Sequence, residues 1–360
     1  MKKSIILLSA LALGFAANAQ VYERTPREYD FELSDIARRI TPVLSSCATT
    51  EKKAPVQAAQ VAETIKVNYV QLGNNAFDNA EYAKAFSYYQ SAENITDPTA
   101  QNHLGDMYLN GAGVSQDYEK ASEWFEKSAA QGNSSAQNNL GVMYVNGVGV
   151  SQDYEKAVEW FEKAVAQGDS FAQNSLGLMY LKGIGVSQDY EKAAEWFEKA
   201  AAQGNSSAQF NLGLMYVKGI GVSQDYEKAA EWFEKAAAQG DRSAQNNLGL
   251  MYERGEGVSQ SYEKAVEWYE KSAAQGDSSA QNNLGVAYYF GRGVPQNSKK
   301  AKEYWEEAAA QGNSNAQESL GILYYLGDGV EQNHAKAKEL WEKSAAQGNS
   351  DAQDHLEKLF

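Results

Sequence analysis

Residues 136 to 169, AQNNLGVMYVNGVGVSQDYEKAVEWFEKAVAQGD, carry two sets of apolar positions. Ala136, Leu140, Met143 and Tyr144 fall at i, i+4, i+7 and i+8, and Ala157, Trp160, Phe161 and Ala164, starting 21 residues on, again fall at helical spacing. This pattern predicts two amphipathic helices joined by a turn. The first should stop at Gly147 and the second at Gly168, since glycine reaches the left-handed backbone that ends a helix without a steric penalty. Small residues at 136, 141, 157 and 164 let the two backbones approach, and Tyr144, Trp160 and Phe161 fill the space that remains.

The same arrangement returns every 36 residues. Ala-Gln recurs at 100, 136, 172, 208, 244, 280, 316 and 352, and residues 172 to 207 match 208 to 243 at 31 of 36 positions. A period of this length is the mark of a solenoid, in which one hairpin cannot bury both its apolar faces and stacking closes the core. Seven tandem units are expected over 99 to 350. A divergent N-terminal cap repeat is expected over 61 to 98, where two helix-like runs flank an Asn-rich break. Residues 351 to 360 read as a capping half-repeat: Ala352, Leu356 and Phe360 keep the first-helix pattern, but Glu357 stands where Gly141 does. Residues 20 to 60 hold Pro26, Pro42, Pro55 and the run SSCATTEKKAP, and read as a flexible leader.

The first 19 residues change the picture of where the chain works. Lys2 and Lys3, the apolar run from Ile5 to Ala17 and Ala-Asn-Ala before Gln20 form a three-part export signal, too short to span a bilayer. The expected location is outside the cytoplasm, in the periplasm or secreted. The whole chain has 32 basic and 47 acidic side chains; without the two signal lysines the net charge is 30 − 47 = −17. Such a surface repels nucleic acid and anionic lipid. Cys47 is the sole cysteine, so no internal disulfide can form.

Candidate chemistry is sparse. Gly-x-Gly-Val begins at 111, 147, 183, 219, 255, 291 and 327, always after a helix pattern, whereas a phosphate loop leads from a strand into a helix. A calcium loop needs oxygen ligands at fixed offsets. The acid of this loop reads Asp117, Asp153, Asp189, Asp225, Ser261, Asn297 and Asn333, a set that loses its carboxylate three times yet consists wholly of good helix N-caps. His103, His334 and His355 lie in separate units without metal-ligand spacing, and no Gly-x-Ser-x-Gly elbow occurs. No catalytic residue, metal or cofactor is expected.

The pattern A-x-x-x-L-G-x-x-Y-x-x-G-x-G-V-x-x-D-x-x-K-A-x-x-W-x-x-K-A-x-x-x-G, met by 136 to 168, resembles the Sel1-like repeat, a relative of the tetratricopeptide repeat. The resemblance covers 100 to 360 and implies an all-α fold, a right-handed superhelix of αα-hairpins that holds other proteins together, with bacterial members common in the envelope. Tyr304-Trp305 and Leu340-Trp341 depart from the Trp-Phe pairs at 124, 160, 196 and 232. Cysteine-rich exported relatives imply an alternative, β-lactam or peptidoglycan-fragment binding or hydrolysis, but none of these repeats contains a cysteine. Carbohydrate binding, suggested by Tyr and Asn richness, is a weaker alternative, because the recurrent tyrosines from Tyr108 to Tyr324 are expected in the core.

In solenoids of the tetratricopeptide type the positions where these repeats disagree face a concave groove. The resemblance therefore places there an asparagine row, Asn138, Asn174, Asn246 and Asn282, broken by Phe210, with Phe171 beside it. It also places there Lys182, Lys218 and Arg254, followed by the aromatic and apolar group Tyr289, Phe290, Tyr325 and Leu326. These aromatics suit an interface hot spot, and they suit local packing against the next repeat equally well. The expected partner is a protein or peptide.

Overall fold

The computed structural model describes residues 68–360; the expected signal, leader, Cys47 and the start of the 61 to 98 segment lie outside the described residues. The described residues form seventeen helices and no strand, and divide into two compact units at Ala164/Val165. The first unit holds α1 (Tyr69–Asp78), α2 (Tyr82–Ser91), α3 (Pro98–Asn110), α4 (Tyr118–Ala130), α5 (Ser134–Asn146) and α6 (Tyr154–Val165). The second holds α7 (Ser170–Lys182), α8 (Tyr190–Ala202), α9 (Ser206–Lys218), α10 (Tyr226–Ala238), α11 (Arg242–Arg254) and α12 (Tyr262–Ala273). It continues through α13 (Ser278–Phe290), α14 (Ser298–Ala310), α15 (Ser314–Leu326) and α16 (His334–Ala345) to α17 (Ser350–Leu359).

Each hairpin closes on one glycine of its first helix and one aromatic ring of its second. In the first unit the pairs are Gly73/Tyr89, Gly105/Phe125 and Gly141/Phe161, and the second unit repeats the contact from Gly177/Phe197 to Gly321/Trp341. A Cβ added at Gly213 would stand 2.6 Å from the Phe233 ring, itself fully buried. Only a glycine admits the ring this close to the helix backbone. The core then runs from hairpin to hairpin: Ala229, Phe233 and Ala237 of α10 pack with Ala244, Leu248 and Met251 of α11. Ala121, Phe125 and Ala129 of α4 do the same with Ala136, Leu140 and Met143 of α5.

The displaced tryptophans follow from this seam. Where the pair is Trp-Phe the phenylalanine is buried and the tryptophan is half-buried, its face covered by a lysine; Lys199 Nζ lies 4.1 Å from the Trp196 ring centroid. In α14 and α16 the tryptophan moves into the buried slot, 3% and 1% exposed, and its indole N–H must find an acceptor there. Trp305 Nε1 donates to the Asn282 carbonyl at 3.2 Å and Trp341 Nε1 to the Glu318 carbonyl at 3.0 Å.

The glutamine of the recurrent Ala-Gln pair is a structural element that spacing does not expose. Gln209 is buried; its Nε2 donates to the Ala201 carbonyl of the preceding hairpin, while its Oε1 accepts from Gln239 Nε2 of its own. Gln245 bonds in the same way to the Ala237 carbonyl and to Gln275. Each such amide ties two hairpins with both its polar atoms satisfied, so its burial costs little.

Candidate functional site: the exposed ends of the first helices

The Gly-x-Gly loop is built as a helix stop and a helix start. Gly219 closes α9 at φ 64°, its N–H bonded to the Met215 carbonyl. Gly221, at φ 67°, presses on the Tyr190 carbonyl of the preceding hairpin, where no side chain would fit. Gln224 Nε2 then donates to the Val217 carbonyl at 2.8 Å, and Asp225 Oδ1 accepts from the Lys228 N–H at 3.0 Å. The cap bond forms in all seven loops, from Asp117, Asp153, Asp189, Asp225, Ser261, Asn297 and Asn333 to the N–H three residues on. One oxygen of each cap is thus held by backbone, and the second carboxylate oxygen of Asp117, Asp153, Asp189 and Asp225 faces the lysine three residues on. Among the described residues no group of three or more His, Cys, Asp or Glu could hold a metal ion.

The asparagine row differs from the open lining that the sequence predicts. Asn138 is half-buried, and Asn174, Asn246 and Asn282 are buried. Asn174 Oδ1 accepts from Asn211 Nδ2 and Asn246 Oδ1 from Asn283 Nδ2, both at 3.0 Å, so these amides link successive first helices. Phe210 interrupts the series by packing its ring 5.8 Å from that of Phe233, and Asn247 turns to the Ser243 carbonyl instead. At Asn282 the next helix offers Ser319, which bonds to Glu318, and the buried Asn282 Oδ1 has no partner.

The remaining predicted positions separate into packed and exposed sets. Tyr289 lies against Trp305 and Phe290, with centroids 5.6 and 5.0 Å apart, and Tyr325 against Trp341 and His334 at 5.6 and 4.7 Å. Both tyrosines are half-buried; burial and a hydrogen bond to Asp328 push the Tyr289 phenol above its usual range. Phe171, Phe290 and Leu326 are 52%, 58% and 57% exposed. Lys182, Lys218 and Arg254 are exposed as well, although partial burial lowers the Lys182 ammonium from its ordinary pKa. Five residues therefore end α7, α9, α11, α13 and α15 in one register: three cations, then two apolar side chains.

The first unit fills the corresponding positions with different chemistry. Asn110 and Asn146 bend back to the carbonyls of Asp106 and Val142 on their own helices. Asp106, where other copies carry Val142, Leu178 or Leu214, accepts from Asn102 Nδ2 at 3.1 Å and Asn139 Nδ2 at 3.2 Å. Burial raises its carboxyl to about 7 against the help of Asn102. His103 stacks on Phe77 at 3.9 Å and meets the Tyr89 hydroxyl at 3.0 Å, and burial lowers its imidazole. That histidine, which sequence spacing shows only to lack metal-ligand neighbours, is a packed residue.

Stacked αα-hairpins with a repeated seam and variable first-helix ends define an α-solenoid repeat protein. The Sel1 repeat model matches residues 98–133, 134–169, 170–205, 206–241, 242–277, 278–313 and 314–349, and the chain belongs to the Sel1-repeat family. It is similar to a protective antigen of uropathogenic Escherichia coli strains that displays an SLR fold, with 41% identity and a TM-score of 0.65. That likeness covers 77% of this chain and 58% of the antigen, so the chain spans less than two thirds of that protein's length. A Sel1 repeat protein from Oxalobacter formigenes is 34% identical with a TM-score of 0.62, over 70% of this chain and 97% of that one. No curated protein matches the sequence. Sel1-repeat proteins generally mediate protein–protein interaction and are typically non-enzymatic scaffolds. No helix among the described residues is long and apolar enough to cross a membrane.

Proposed function

We propose that this chain is an exported, non-enzymatic scaffold of the cell envelope, holding a protein or peptide partner against the face on which its first helices end. The observation that carries this reading is the exposure of Phe290 and Leu326 at one register of consecutive repeats. Burying the part of either side chain that the fold leaves exposed would contribute about 1 to 2 kcal/mol. An exposed aromatic ring such as that of Phe290 is of the kind enriched in the buried cores of protein interfaces. Asn174 and Asn246 are hydrogen-bonded inside the stack and Asn282 is buried there, so none of the three lines the open face. The tripartite pattern in residues 1 to 19 supports export.

The test is photo-crosslinking in the native cell from a benzophenone side chain at 290 or 326, followed by fractionation and mass spectrometry. A partner protein captured from the envelope fraction at both positions, and not from a control position such as Glu195, is the expected result. Crosslinks equal to those of the control, or a product confined to the cytoplasm, would overturn the reading.

A further inference from the structure

We infer that the second unit selects a peptide with acidic residues at one end and apolar residues at the other, laid along the ends of α7, α9, α11, α13 and α15. This rests on the scaffold reading above and adds to it the chemistry of the partner. The first argument is the distribution of charge. The chain carries −15 overall, and α8, α10 and α12 each hold three acids and two bases. The first helices beside them run the other way: α7, α9 and α11 each have a net charge of +1. The cations that produce the excess include Lys182, Lys218 and Arg254, all exposed at the same helical position.

The second argument is the sequence of side chains along that register. After Arg254 the position becomes Phe290 and then Leu326, more than half exposed. Arg292 marks the junction: its guanidinium covers the Phe290 ring at 5.0 Å and reaches Glu253 at 3.4 Å. Glu253 also accepts the Tyr269 hydroxyl at 2.6 Å, so the acid nearest the row is engaged. Glu256 lies 3.9 Å from Arg254 as a loose exposed pair, and Asp328 bonds Tyr289. The helix dipole favours a cation at any helix end and accounts for Lys182, Lys218 and Arg254 one by one, but not for the change to exposed Phe290 and Leu326. The first unit meets the same need with Asn110 and Asn146 folded back on their own helices. Complementary charge along such a row sets partner choice and association rate more than raw affinity.

The probe is a fluorescein-labelled 15-residue peptide of serines carrying four glutamates toward one end and a leucine and phenylalanine toward the other. Extended, it reaches about 50 Å, enough to pass several helices packed about 8–10 Å apart. Fluorescence anisotropy with the purified full chain should show binding about tenfold tighter than for the same peptide with lysines in place of the glutamates. K182A/K218A/R254A should weaken it about tenfold and flatten its salt dependence. F290A/L326A should weaken it while leaving the salt dependence unchanged. Circular dichroism and thermal melting verify that both variants are folded. Equal affinity for the glutamate and lysine peptides, a triple variant within twofold of wild type, or a DNA duplex binding as tightly as the peptide would overturn the inference. If crosslinking at 290 captures a partner while the acidic peptide shows no preference, the scaffold reading stands and only the acidic specificity falls.

Discussion

The α3–α4 hairpin and the α11–α12 hairpin share one seam and present opposite chemistry beyond it. Behind α3, Gly105 receives the Phe125 ring; behind α11, Gly249 receives Tyr269. In front, α3 offers Asp106 in a net of amides beside the half-buried His103, whereas α11 offers Arg254 to solvent. The seam holds the repeat together and tolerates only glycine and a large ring. Positions one turn away are free to differ, and that is where the copies acquire individual character.

Breaking the seam should have the largest effect. Phe233→Ala removes a fully buried ring that packs against both its own first helix and α11, and should cost about 3–5 kcal/mol. Gly213→Ala adds one methyl against the same ring and should cost about 1–3 kcal/mol. Urea unfolding followed by circular dichroism measures both. A loss below about 1 kcal/mol for Phe233→Ala would show that the seam is not what carries the stack.

The contrast in front of the seam is sharpened by pH. Asp106 titrates near 7 in the folded chain against 3.8 for an ordinary aspartate. The folded state therefore holds the proton more tightly. The stability this linkage contributes is complete below about pH 4 and is lost as pH rises toward 7. Each pH unit between those two values corresponds to about 1.4 kcal/mol, so the ceiling is about 4 kcal/mol, and water reaching the half-buried carboxyl lowers it. Asp106→Asn should melt at nearly the wild-type temperature at pH 4.5 and above it at pH 8. His103 is present in both proteins, so its own titration cancels in the comparison. A difference in melting temperature that is the same at both pH values would show that Asp106 is charged throughout.

Much of the fold is legible in the sequence because each copy states it again. Helix spacing, the glycine stops and the capping set at 117, 153, 189, 225, 261, 297 and 333 need only local rules. The tie made by Gln209 escapes such rules, since its partners lie eight and thirty residues away in two different hairpins. The burial of Asn174 and Asn246 is hidden for the same reason: it depends on the stagger between successive first helices, which a period of 36 does not specify. Phe290 and Leu326 could be singled out by their disagreement with the other copies, but not separated from Tyr289 and Tyr325, whose neighbours Trp305 and Trp341 take up the rings. Asp106 stands out as an acid in an apolar column, while its raised titration requires the amides and the packing around it.

The smallest effect tests what the two regions have in common. The second helices from α4 to α16 each start on a side-chain oxygen bonded to the N–H three residues on, whether the helix is α4 with Asp117 or α10 with Asp225. Asp225→Ala should cost about 1 kcal/mol, and Asp225→Ser or Asp225→Asn only a few tenths, because all three oxygens can accept the Lys228 N–H. The exposed Asp225–Lys228 ion pair, 3.6 Å apart, contributes little to this difference. Urea midpoints with and without millimolar calcium separate a capping loop from a cation loop. A capping loop loses stability only with alanine and ignores calcium. A cation loop would lose as much with serine as with alanine, and calcium would raise the wild-type midpoint. The natural copies at Ser261, Asn297 and Asn333 already form the cap bond without a carboxylate, so the charge at 225 is dispensable while the acceptor is not.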